Sequence, residues 1–469
     1  MALGRRKREQ QEAWIATSDL PKSPGHVFYQ KLNRVLADAE FDDFVEQLCE
    51  PYYADNVGRP GLPPGVYFRM VFIGYFEGLD SQRGIAWRCA DSLSMKEFLG
   101  FSAYEKSPDH SSMSRTHQRL PLEVFLEVFS FVLSMAEVHK LLKGKTLAVD
   151  STVLEANAAM KTIVRKDSGD DWKEYLGKLY EEETGEDNPT DEELRRFDRK
   201  RKDKKVSNQE WESSTDPDAR IARMKDGRTH LAYKAEHAVD LETNLIVAAE
   251  IYPADRGDQD TIEESMDAAE DNLIRAEVDA TPREAVADKG YYKTETLSGL
   301  EFTQGYRTYI PEPDFRGRRS WKNRSEEDKR AAYNNRRRQK GNRGKALHRL
   351  RSELVERSFA HVCETGGARR TWLRGLTKVR KRYLLTAAAH NLGLILRQAF
   401  GMGKPRGAHG ASGLSLLAQL VVRWLWRLQI GPGVRFDELG RLMFATVPNP
   451  STINPKYHQP DIMALSTGC

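Results

Sequence analysis

Hydrophobic positions change their spacing along the chain, and the change divides it. From about residue 28 to 140 apolar residues recur at helical intervals, as in Phe68, Val71, Phe72, Tyr75 and Phe76, with a turn at Gly58-Arg-Pro-Gly-Leu-Pro-Pro. The spacing predicts a helix over Ser81 to Leu99 and a second from Met113 to Leu120, capped by the polar side chains of Pro108-Asp-His-Ser-Ser. That second helix presents Arg115, His117, Gln118 and Arg119, a pattern that suits either a helix-turn-helix-like DNA contact or a solvated face.

Past Lys143-Gly-Lys the period shortens. Thr146-Leu-Ala-Val-Asp reads as a short buried strand ending in a carboxylate, and residues 161–228 follow as a charged insert with almost no apolar periodicity, expected to be mobile or loosely helical. A hairpin is predicted from Leu231 to Asp240 and Leu245 to Tyr252, turning at Glu242-Thr-Asn. A helix over Gln259 to Ile274, a strand Glu284 to Asp288, a helix near Thr294 to Leu300 and a strand Tyr306 to Ile310 complete the pattern. The fold class is therefore α/β behind an all-α N-terminal domain, with units expected at 1–140, 141–400 and 401–469. In the last, Leu414 to Ile430 reads as a buried amphipathic helix; Gln419, Arg423 and Arg427 leave it too short and too polar to span a membrane.

Composition narrows the class. A hydrophobic fraction of 39% at a mean hydropathy of -0.65 leaves enough apolar residues for a core over 469 residues. Cys49, Cys89, Cys363 and Cys469 form no CxxC pair, which argues against a zinc knuckle and a disulfide framework and suits a reducing cytosol; His230, His237 and His361 are isolated. The start, Met1-Ala-Leu-Gly-Arg-Arg-Lys-Arg, runs into Glu9 rather than an apolar segment, so a basic arm on DNA is expected and not a secretory signal. The expected location is cytoplasmic and nucleoid-associated.

Net charge is only +4, but the signs are unevenly placed. Residues 315–351 are crowded with Arg and Lys, densest at Arg336-Arg337-Arg338 and at Asn342-Arg343-Gly-Lys345, with Trp321 and Tyr333 interleaved. Such a run follows a phosphate backbone or simply solvates a face. Arg369-Arg370-Thr-Trp372-Leu-Arg374 and Lys378 to Arg382 repeat the theme.

Two carboxylates stand out. Asp150 and Asp288 each end a short apolar strand, and strand ends that meet in an α/β sheet build sites at topological switch points. Carboxylates paired there suit Mg²⁺, a hard ion usually held by one or two carboxylates with phosphate oxygens completing its shell. Taken singly, either residue is also an ordinary loop or cap aspartate.

The segments Leu147-Ala-Val-Asp-Ser-Thr, Ala285-Val-Ala-Asp-Lys-Gly-Tyr-Tyr and Leu354-Val-Glu-Arg-Ser-Phe-Ala resemble the three acidic motifs of bacterial insertion-sequence DDE transposases. The resemblance covers most of the chain, since residues from about 30 to 140 also look like the helical domain that accompanies this core. It implies an RNase-H-like mixed sheet flanked by helices, and metal-dependent DNA cleavage at element ends followed by strand transfer into target DNA. It further implies Asp150, Asp288 and Glu356 as catalytic metal ligands, and Mg²⁺ with Mn²⁺ as its substitute. The implied partners are double-stranded DNA, as terminal inverted repeats and target, and a second copy of the chain. Arg115, His117, Arg119, Lys289, Arg336, Arg337, Arg338, Arg343 and Lys345 are the candidate DNA contacts. The third carboxylate stays open: Glu353 lies three residues from Glu356 on one helical face, and the arginine that relatives carry near this position, here Arg349, is correctly spaced only from Glu353. A nuclease that never joins strands, and an inactive remnant or DNA-binding regulator, are the alternative functions.

Overall fold

Aromatic and aliphatic residues at helical spacing build the N-terminal region as α1 (Val27–Asp38), α2 (Phe41–Cys49), α3 (Pro64–Glu77), α4 (Gln82–Asp91), α5 (Leu93–Phe98), α6 (His110–Arg119) and α7 (Leu122–Val138). The structure, a computed structural model, describes residues 25–54, 61–202, 205, 207–224, 227–279, 281–314, 321–322 and 324–405. The basic arm and the expected helix from Leu414 to Ile430 lie outside the described residues. Ser81 to Leu99 is not one helix. Ser81 Oγ caps α4 by accepting from Gly84 N at 3.1 Å, and Ser92 Oγ opens α5 by accepting from Met95 N at 3.4 Å. Asp109 caps α6, accepting from Ser112 N at 2.8 Å, so this helix starts at His110, three residues before the expected start.

The mixed sheet follows. It is assembled from β1 (Thr146–Glu155), then β4 (Arg220–Arg223) from the end of the insert, β5 (Thr229–Asp240), β6 (Ile246–Pro253), β7 (Glu284–Val286) and β8 (Arg307–Tyr309). The strand order is β4-β5-β1-β7-β8, with β6 also pairing β5. β5 runs antiparallel to β1, β4 and β6, whereas β7 is parallel to both β1 and β8. β1 does not end at Asp150: Ser151 to Glu155 continue it, paired to β5 as far as Ala232. Asp150 therefore sits mid-strand opposite His237, and Ser151 opposite Glu236.

The helices α11 (Ile262–Arg275), α12 (Thr294–Ser298), α13 (Glu326–Lys340), α14 (Asn342–Phe359) and α15 (Leu376–Phe400) surround this sheet. Side chains directly opposite one another on paired strands share a face. On one face, His237 Nδ1 lies 2.8 Å from Ser358 Oγ of α14. On the other, Glu236 accepts from Ser265 Oγ of α11 at 2.5 Å. The basic run is thus largely helical, as α13 and α14. α15 packs on α3, α7 and β6, and Asn391 binds both backbone groups of Ile246, accepting from its N at 3.0 Å and donating to its O at 2.8 Å. The N-terminal helices and the sheet share one continuous cluster of buried side chains.

Among its described residues the charged insert forms regular elements. It forms β2 (Ile163–Arg165) paired with β3 (Trp211–Ser213), together with α8 (Trp172–Thr184), α9 (Asp191–Lys200) and α10 (Ser207–Glu210). Its centre is a cation: the Arg165 guanidinium stacks 4.1 Å from the Tyr175 ring and 5.6 Å from the Trp211 ring, and pairs with Glu210 at 3.1 Å. Arg201 reaches the same Glu210 at 2.6 Å. A core built from stacked cations and carboxylates carries no apolar period, which is why the sequence reads as unstructured there.

Candidate active site

Asp150 and Asp288 are brought together by the parallel pairing of β1 and β7, in which Ala148 stands opposite Val286. Asp288 lies two residues beyond β7 and caps the short turn Lys289–Tyr291, its Oδ1 accepting from Gly290 N at 2.8 Å. Asp150 Oδ1 accepts from Ser151 N at 2.9 Å. Between the two aspartates lies a cation: Arg351 Nη2, from α14, is 3.2 Å from Asp150 Oδ2 and 3.8 Å from Asp288 Oδ2. Burial pushes the Asp150 carboxyl above its ordinary range; Arg351 and the Ser151 N–H oppose this, and the neighbouring charges of Asp288 and Asp258 add to it.

Asp258 went unnoticed in the sequence. It opens a short turn ahead of α11, and its Oδ1 accepts from Ser151 Oγ and from Lys234 Nζ, each at 2.9 Å. A side chain at position 290 would crowd this corner. A Cβ there would stand 3.0 Å from Asp288 Oδ1 and 3.2 Å from Asp258 Oδ2, so any other residue would make these two carboxylates give way by a few tenths of an ångström. The only signal for Asp258 was a polar loop, Ala254-Asp-Arg-Gly-Asp, between a strand and a helix.

Beneath the site lies a buried polar network. Glu236 accepts from Thr261 Oγ1 at 2.8 Å and from the Tyr291 hydroxyl at 2.9 Å, in addition to Ser265, while Lys234 Nζ donates to Thr261 Oγ1 at 2.8 Å. Every member is bonded, so the network rigidifies the loop that carries Asp288. On the opposite face, His237 stacks 4.1 Å from Phe359 and meets the Tyr383 hydroxyl at 2.8 Å. Burial pushes its pKa down to about 3, which leaves it neutral.

The third carboxylate is not part of this cluster. Glu356 is exposed on α14, five residues from Arg351 and so about 140° around the helix from it. Glu353 is exposed too, and is held by Arg357 at 2.6 Å. Among the described residues no three His, Cys, Asp or Glu side chains are gathered to hold a metal ion. The aspartate pair nevertheless fits a hard divalent cation: both carboxylates already converge on one positive atom, and two carboxylates suffice when phosphate oxygens supply the rest.

The candidate DNA contacts divide. His117 departs from expectation, because it is buried, with Nδ1 2.9 Å from the Tyr67 hydroxyl and Nε2 3.2 Å from the Lys378 carbonyl. Arg336 pairs with Glu312 at 2.8 Å, Arg338 with Glu301 at 2.6 Å, and Arg343 with the buried Glu284. Arg115, Lys289, Arg337 and Lys345 are exposed, as is Arg119, which lies 4.7 Å from the Tyr53 ring. No helix among the described residues is long and apolar enough to cross a membrane.

Comparison with known proteins agrees with this architecture. The family model described as Transposase domain (DUF772) matches residues 18–119, covering most of the N-terminal helices. The model described as Transposase DDE domain matches residues 143–392, more than half of the chain and the whole of the sheet. No curated protein and no solved structure matches it. With both motif aspartates meeting at Arg351 inside the matched region, the chain belongs to the DDE transposases of insertion sequences.

Proposed function

We propose that this transposase cleaves DNA strands at the ends of its own element and joins the freed 3′-hydroxyl to target DNA at the centre formed by Asp150 and Asp288. The observation that supports it most is the convergence of the two carboxylates on a single cation position. Asp150 and Asp288 would hold the ion, Mg²⁺ with Mn²⁺ as its substitute. When bound, the ion activates the attacking hydroxyl and offsets charge on the scissile phosphate in an in-line displacement.

The chain's own residues orient and bind. The N–H groups of Ser151 and Gly290 fix one oxygen of each aspartate, leaving the other directed at the site. Lys289, exposed beside Asp288, would meet a phosphate, and the exposed Arg337 and Lys345 on α13 and α14 would extend the basic surface for the backbone. Glu356 is the better third carboxylate: it has no ion-pair partner among the described residues, whereas Glu353 is held by Arg357. Its arrival requires a local rearrangement of α14. A homodimer on DNA is part of this reading, since two element ends must be held together.

The test is cleavage and joining of labelled DNA carrying the inverted repeats that flank the gene. Asp150→Ala should bind the DNA as the wild type does and lose nearly all cleavage; full cleavage would refute the assignment. Cleavage by the wild type without joining would make the protein a nuclease.

A further inference from the structure

The two aspartates use their oxygens unequally. Oδ1 of each is bonded by a neighbouring backbone N–H, Ser151 for Asp150 at 2.9 Å and Gly290 for Asp288 at 2.8 Å. Oδ2 of each faces the same atom, Arg351 Nη2. The Arg351 side chain is 9% exposed, and among the described residues these two aspartates are its ion-pair partners. A cation bound by the pair must take the same two Oδ2 atoms.

We infer that Arg351 is the resting counter-ion of the catalytic pair, displaced when a divalent metal binds and then received by a phosphate of the bound DNA strand. The inference rests on the reading of Asp150 and Asp288 as metal ligands. Magnesium sits about 2.0–2.1 Å from its oxygens, well inside the distances at which the guanidinium now stands, and two cations crowded onto the same oxygens repel. A buried arginine stripped of its partners is strongly unfavourable, so the displaced side chain needs another anion, and guanidinium matches phosphate geometry. Leu347 and Val355, one turn to either side, are buried in the core, so the swing of the long side chain does not itself require α14 to move. Metal and DNA would then bind cooperatively, because each weakens the contact that opposes the other.

The experiment measures Mn²⁺ affinity of the full chain, with and without a short DNA duplex, for the wild type, Arg351→Gln, Arg351→Lys and Asp150→Asn. Arg351→Gln should bind Mn²⁺ about fivefold or more tightly than the wild type without DNA, within the usual span of coupling factors. Arg351→Lys, which keeps the charge, should stay near the wild type. Duplex should tighten Mn²⁺ binding by the wild type more than by Arg351→Gln. Equal or weaker binding by Arg351→Gln overturns the inference. Should that variant fail to fold, absence of any DNA effect on Mn²⁺ affinity in the wild type overturns it instead. Mn²⁺ binding that survives in Asp150→Asn would show that the aspartates are not the ligands, a failure of the underlying reading and separable from the others.

Discussion

The Tyr291 hydroxyl donates to Glu236 Oε2 across 2.9 Å, tying the loop that carries Asp288 to the centre of β5. Burial pushes the Glu236 carboxyl up; the charge of Lys234 opposes the shift, as do the hydrogen bonds from Ser265, Thr261 and Tyr291. A carboxyl raised in the folded state contributes stability that is present below the unfolded pKa and lost as pH rises through the folded one. Removing a donor that favours the charged form extends that loss. Tyr291→Phe should therefore cost about 1–3 kcal/mol, and more at about pH 8 than at about pH 4.5 in urea unfolding. An equal loss at both would show that Glu236 does not change charge.

Gly290→Ala places a methyl group against both Asp288 and Asp258. The carboxylates must shift by a few tenths of an ångström, so DNA cleavage should fall by about 10- to 100-fold with thermal stability little changed. Cleavage at the wild-type rate would mean that the spacing of these oxygens is not critical.

Some of this was legible in the sequence and some was not, for physical reasons. Asp150 and Asp288 stood out because an apolar strand breaking into an acid is a local pattern, and because the strands on either side gave a sheet order that could join them. The sheet hid part of its extent: Ser151-Thr-Val-Leu-Glu does not alternate polar and apolar residues, and only pairing with β5 identifies it as a continuation of β1. The insert was misread because Arg165, Arg201 and Glu210 stabilise it in place of an apolar stripe. His117 looked like part of a polar surface, and only the packing of α6 against Tyr67 and Lys378 buries it. Arg351 was lost within a basic run whose other members pair elsewhere or face solvent.

His237 gives a second pH dependence. Its pKa falls from 6.5 to about 3 on burial, so the unfolded chain takes up a proton that the folded chain does not. The stability this preserves is present above pH 6.5 and is lost as pH falls toward 3. Between those values each such histidine contributes a slope of about 1.4 kcal/mol per pH unit. His237→Gln should flatten the stability profile by about that slope between about pH 6 and pH 5. An unchanged slope would mean that His237 is protonated in the fold.

Asn391 closes both backbone groups of Ile246, which adjoins the turn between β5 and β6. Asn391→Ala strands a buried donor and a buried acceptor, and should lower unfolding free energy by about 1–3 kcal/mol for each group left unsatisfied. Denaturant unfolding measures this, and a change under about 0.5 kcal/mol would show that water replaces the side chain.

The central claim, that the aspartate pair holds the ion used for strand cleavage, is tested most directly by changing the ligand's preference for metal. A thiolate is softer than a carboxylate and binds Mg²⁺ poorly, while the less hard Mn²⁺ tolerates it better. Cleavage of the labelled element ends by Asp288→Cys is predicted to be lost in Mg²⁺ and recovered in Mn²⁺. Undiminished cleavage in Mg²⁺ would contradict the account.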